Sequence, residues 1–177
     1  MRTIRFKFSP AKARAAIHWM LRERAGIDLH TVLKACYFAD KDHLNEHGRP
    51  IFGAEYKAMK LGPIPLQIYE MAKCEPLWLA ELGSDKYPWQ LDGYKLSLTD
   101  NTEPDLDVLS ESDIKAIAHG FERSRSMTLN ERTAATHGSD WKAANLGRMR
   151  YEDMLDESPE KARRVADLRE LAPHIRL

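Results

Sequence analysis

Between Arg49 and Pro65 the chain reads RPIFGAEYKAMKLGPIP, and the three prolines and two glycines in that run forbid a single long helix there. The constraint matters because helical patterning flanks the run on both sides. Upstream, Leu29, Val32, Leu33, Cys36, Tyr37 and Leu44 fall on one stripe of a helix, with Asp28 near its start and Gly48 past its end. Downstream, Pro65 can open a further helix, LQIYEMAK. The chain must therefore lay an irregular, stiffened segment against helices. Gly48, Gly53 and Gly62 sit where that segment has to turn sharply.

The remaining elements follow from periodicity and capping. Ile4, Phe6 and Phe8 alternate with Arg5 and Lys7, which predicts a strand or extended arm over residues 1–9. Ser9-Pro10 opens a helix carrying Ala13, Ala16, Ile17, Met20, Leu21 and Ala25 at helical spacing and ending at Gly26. Trp89 and Leu91, then Asp92-Gly93, then Tyr94, Leu96 and Leu98 predict a hairpin turning at Asp92-Gly93. Ser110 starts a helix bearing Ile114, Ile117, Ala118 and Phe121, and Thr128 with Glu131 forms a capping box. Ser139-Asp140-Trp141 starts a short helix, and Ser158-Pro159-Glu160 caps a last one running to about Leu171, before Pro173. The sum is an α+β fold, a mainly α-helical single domain over residues 1–177 with a small antiparallel hairpin or sheet.

Charge limits the partners. Lysines and arginines number 27, as do aspartates and glutamates, so there is no basic surplus for phosphate and nucleic acid is disfavoured as the main partner. The first two helices can mimic a helix-turn-helix, but Asp40 and Asp42 load the second with acid. The charge is uneven: seven bases against Glu23 in residues 1–24, and six acids with no base from Asp100 to Asp113. These are either two solvated surfaces or a partner docked by charge complementarity. No apolar run reaches membrane-spanning length and no secretory h-region follows the basic start, so a cytoplasmic location without membrane contact is expected. Cys36, among apolar neighbours, reads as a buried thiol.

Sequence signatures of phosphate loops, nucleophile elbows and zinc helices do not occur. His43 and His47 are four residues apart on one helix face, but the helix C-terminus favours histidines through its dipole and no third ligand is evident. Neither a metal nor a cofactor is expected. Asp40 continues the stripe of Leu33 and Tyr37, and a carboxylate on an apolar stripe must find donors. Arg49 and the backbone N–H groups of the 49–65 segment are the candidates. Asp40 then either braces that segment or, with His43 and Arg49, lines a small catalytic pocket.

One longer pattern runs through these residues: Tyr37-Phe38-Ala39-Asp40, Leu44, Gly48-Arg49-Pro50-Ile51, Gly53, Tyr56, Ala58-Met59, Gly62-Pro63, Pro65 and Ile68-Tyr69. A second block, Thr136-His137-Gly138-Ser139-Asp140-Trp141-Lys142, follows. In this order and spacing, over roughly residues 10–155, the chain resembles the SocA-like antitoxin family, or Panacea domain. The resemblance implies a bacterial or phage-associated antitoxin of a type II toxin-antitoxin system, not an enzyme, that binds a cognate protein toxin. Some relatives are thought to deliver the toxin to an AAA+ protease. Many carry an additional N-terminal DNA-binding domain, which is not expected here. It also points to Arg49, Pro50, Tyr56, Met59, Gly62 and Pro63 as partner-binding positions. Tyr37, Asp40, Gly48, Gly53, His137 and Trp141 would be structural positions of the motif.

Overall fold

The computed structural model describes residues 2–177, so Met1 of the expected N-terminal arm lies outside the described residues. Residues 2–9 enter no helix or strand; Ile4 is buried, Phe6 meets Tyr151 edge-on at 4.9 Å and Phe8 meets Trp78 at 5.0 Å. Pro10 then starts α1 (Pro10–Glu23), which stops short of the expected end at Gly26 because Arg24 turns extended, leaving Ala25 exposed outside the helix. After a two-residue strand β1 (Ile27–Asp28), Asp28 caps α2 (Leu29–His47) by accepting the Thr31 N–H at 2.8 Å, and Gly48 ends it with φ 72°. β2 (Tyr56–Met59), β3 (Gly62–Pro65), α3 (Leu66–Ala72), α4 (Leu77–Leu82), β4 (Trp89–Asp92) and β5 (Lys95–Leu98) follow. The C-terminal part is helical: α5 (Glu111–Arg125), α6 (Leu129–Thr136), α7 (Ser139–Ala144), α8 (Tyr151–Met154) and α9 (Lys161–Leu171). Capping boxes open α5 at Ser110 and α6 at Thr128.

Helix α2 is the axis of the fold. Residues 31–40 are buried without interruption, so the helix is covered on every side rather than along one stripe. Its closest companion is α5, and Gly120 makes the approach possible. A Cβ at Gly120 would lie 2.7 Å from the Ala35 carbonyl oxygen and 3.0 Å from the Ala39 nitrogen, both backbone atoms that cannot step aside. Gly120→Ala should therefore force α5 off α2 and destabilise the protein by about 2–3 kcal/mol, against a small gain from helix propensity. Urea denaturation checks this; an unchanged midpoint would contradict the packing.

Two antiparallel sheets lie against the helices: β1-β5-β4, and the pair β2-β3. The Trp89–Leu98 hairpin forms, but its turn is one residue later than expected. Asp92 pairs with Lys95, leaving Gly93 (φ 61°) and Tyr94 as the loop. That register sets Leu91 opposite Leu96 and lets β1 add a third strand, with Ile27 opposite Leu96 and the Leu29 N–H donating to the Tyr94 carbonyl. Leu96 and Trp89 are buried, whereas Tyr94, at the turn, is 82% exposed.

The two oppositely charged segments meet each other. Lys12 of α1 bonds Asp113 of α5 at 2.7 Å, and Arg22 pairs with Glu103. Part of the charge asymmetry seen in the sequence is thus internal complementarity, not a surface awaiting a partner.

Candidate functional site

Asp40 organises the irregular segment. Its Oδ1 accepts the Ile51 N–H at 2.7 Å and the Phe52 N–H at 3.1 Å, and its Oδ2 accepts the Tyr56 hydroxyl at 2.8 Å. The carboxylate is fully buried; burial raises its pKa to about 6, against the opposing pull of these three donors. The expectation that Asp40 is buried and held by the 49–65 segment holds, with one correction. Arg49 does not reach Asp40 but bonds Asp113 at 3.0 Å and Ser110 at 3.3 Å.

His43 is spent in the same region. Its Nδ1 donates to the Arg49 carbonyl at 2.8 Å, and its Nε2 lies 2.9 Å from the Ser112 hydroxyl and 3.3 Å from Asp113. Burial, above all, lowers its pKa. For Asp113 burial works against ionisation, but the Lys12 ammonium, the Ser110 N–H and the Arg49 guanidinium outweigh it and hold the carboxyl below its ordinary range. His47 lies beside His43, with ring centroids 4.5 Å apart and the planes tilted by 39°, and is exposed. A cavity of about 310 Å³ near the motif is lined by Gly53, Glu55, Tyr56 and Arg148 and does not reach Asp40, His43 or Arg49.

The second motif block clamps the hairpin that the first block forms. Asp140 of α7 accepts the Tyr37 hydroxyl at 2.5 Å and the Lys41 ammonium at 3.1 Å, which ties α7 to α2. Trp141 donates its indole N–H to the Met59 carbonyl at 2.8 Å, and His137 stacks on that indole at 3.7 Å. The chain after α7 runs beside β2: the Ala58 N–H donates to the Gly147 carbonyl and the Met149 N–H to the Tyr56 carbonyl, each at 2.9 Å. The β2-β3 hairpin is therefore held from below by Asp40 and from the side by α7.

Of the partner-binding positions, only Met59 is well exposed, at 39%; Arg49 is half-buried, and Pro50, Gly62 and Pro63 are buried. The larger correction concerns Tyr56. It is 2% exposed, its hydroxyl is committed to Asp40 and its ring packs on Tyr37 and Tyr151. It faces inward because β2 alternates, with Tyr56 and Ala58 in and Lys57 and Met59 out. The residues that do reach solvent at the hairpin are Lys57, Met59, Lys60 and Leu61, the last 46% exposed. Leu146 is exposed on the adjoining segment.

Sequence reasoning missed Lys34. On α2, a helix covered all round, it has no stripe to mark it. Its Nζ donates to the Pro63 carbonyl at 2.8 Å, and a Cβ at Gly62 would lie 2.8 Å from its Cε and collide with the Thr136 hydroxyl. Burial, with the Arg132 guanidinium adding to it, lowers this amine to about 7. An unfolded lysine keeps its proton to about pH 10.4, so above pH 7 the unfolded chain binds the extra proton and folding stability rises with pH. Between pH 7 and 8.5 the gain should be roughly 2 kcal/mol, before the Cys36 thiol, which burial pushes up, begins to work in the opposite direction. Urea melts at the two pH values should show this rise in the wild type and not in Lys34→Met. An equal slope in both would remove Lys34 as its source.

Among the described residues no helix is long and apolar enough to cross a membrane. A family model described as antitoxin SocA-like, Panacea domain, matches residues 32–142, a narrower span than 10–155 that still contains both motif blocks. No curated protein and no solved structure matches the chain.

Proposed function

Since the chain belongs to the SocA-like antitoxin family, with its Panacea domain over residues 32–142, we propose that it neutralises a protein toxin by direct binding. The face used is the outer side of the β2-β3 hairpin together with α7 and the segment after it. One observation carries this reading: both motif blocks converge on the hairpin, Asp40 of α2 through the Tyr56 hydroxyl and Trp141 of α7 through the Met59 carbonyl, while its tip presents Met59 and Leu61 to solvent. Loops fixed by a rigid scaffold and carrying exposed apolar residues are well suited to binding. Tyr37, Asp40, Gly48, Gly53 and His137 shape the face from behind.

A catalytic role for Asp40, His43 and Arg49 has the geometry against it. The carboxylate and the imidazole are buried with their polar atoms engaged, and the guanidinium is bonded to Asp113. Co-expression with the product of the neighbouring gene tests the proposal. Growth arrested by that product should be restored, and the two proteins should purify together; persistent arrest with the chain well expressed and folded would refute it.

A further inference from the structure

The character of the exposed face defines the chemistry of what it binds. On the outer side of β2, Lys57 stands between Ile64 of β3 and Arg148 of the following segment, since paired residues of antiparallel strands share a face. Met59 is the next outward residue, Leu61 lies at the turn, and Trp141 borders the hairpin. The face therefore presents exposed apolar and basic side chains together, Met59 and Leu61 beside Lys57 and Lys60.

The charge there is one-sided, although the whole chain has equal numbers of acids and bases. Lys57, Lys60 and Lys142 are exposed and, among the described residues, pair with no acid. The local acids are already engaged: Asp140 is buried against Tyr37 and Lys41, and Glu55 pairs with Arg148. Arg148 keeps 65% of its side chain exposed even so.

Leu146 adds an independent observation. It has φ 61°, directly after Asn145 at φ 46°, in a region that a leucine rarely occupies. Yet the residue is 58% exposed, so the strained conformation does not serve to bury it in the core. Strained, non-glycine positions of this kind concentrate where a ligand is held.

Resting on the toxin-binding reading above, we propose that the toxin segment seated on this face is acidic around an apolar anchor. The anchor packs on Met59, Leu61 and Leu146, and flanking carboxylates meet Lys57, Lys60 and Lys142. Nucleic acid fits less well, because Met59, Leu61 and Leu146 offer apolar side chains where phosphates would need donors.

The test uses the full chain and the purified product of the neighbouring gene. Affinity is measured at low and high salt for the wild type, for the triple variant Lys57→Glu/Lys60→Glu/Lys142→Glu, and for Leu146→Gly. The wild type should weaken about tenfold or more as salt rises, since exposed charge pairs are screened. The triple variant should bind about 100-fold more weakly, with little salt dependence left. Leu146→Gly should bind about tenfold more weakly while its melting temperature stays level or rises, because glycine relieves the strain. Wild-type affinity and salt slope in the triple variant would overturn the inference and leave the toxin-binding reading standing. Loss of duplex DNA binding in the triple variant, with toxin binding intact, would assign the lysines to nucleic acid and overturn it too. No complex with the unaltered chain at either salt would overturn both.

Discussion

Asp40→Ala should destabilise the protein by about 3–5 kcal/mol, because it strands the Ile51 N–H, the Phe52 N–H and the Tyr56 hydroxyl in the core. Each orphaned buried donor costs roughly 1–3 kcal/mol, and water entering the vacated space recovers part of that. The burial that raises the Asp40 pKa means that charge is not stabilising here in itself; the donors committed to it make its removal expensive. Asp40→Asn separates the two effects. It keeps an acceptor for the two backbone donors and should lose only about 1–2 kcal/mol. Urea denaturation of both variants is the check, and equal small losses would mean that the segment does not depend on this bracing.

The second large effect is on binding. Met59→Asp combined with Leu61→Asp should weaken the toxin complex by about 100-fold or more, since the pair removes the exposed apolar side chains of the hairpin tip and repels an acidic segment. Both residues are exposed, so folding should change by no more than about 0.5 kcal/mol per site. Tyr56→Ala would be a misleading substitute. It would also abolish binding, but by opening the core around Asp40, and its thermal melt would reveal that. A Met59/Leu61 variant that is folded and binds at wild-type affinity would remove the hairpin tip from the interface.

Asp40 shows how far a single sequence can be read. A carboxylate on the stripe of α2 had to find donors, and glycines and prolines just downstream supplied turns with free backbone N–H groups. The caps at Asp28, Ser110 and Thr128 were readable for the same reason: each is a local exchange between a side chain and the backbone a few residues on. The β2-β3 hairpin was not. Each strand has four residues, Pro63 and Pro65 lack N–H groups, and outward Met59 breaks the polar-outside pattern that would have marked β2. The inward direction of Tyr56 depends on that unseen pairing. The sequence offers Arg49 as one candidate donor to Asp40, beside the backbone N–H groups, whereas the fold gives it Asp113, 64 residues away. Lys34 is not legible in the sequence, because in a helix buried all round no polar face marks a lysine that has an inward partner. Local exchanges leave a trace in sequence; long-range pairings leave one only where an unusual residue demands a partner.

The claim that the toxin sits on the hairpin face is most directly tested by amide hydrogen exchange of the full chain, with and without the purified product of the neighbouring gene. New protection is expected over residues 57–64 and 139–148, the hairpin with Met59 and Leu61 and the stretch from α7 onward with Trp141 and Leu146. Protection confined to the oppositely charged segments at 2–24 and 100–113, with residues 57–64 exchanging as in the free protein, would contradict it.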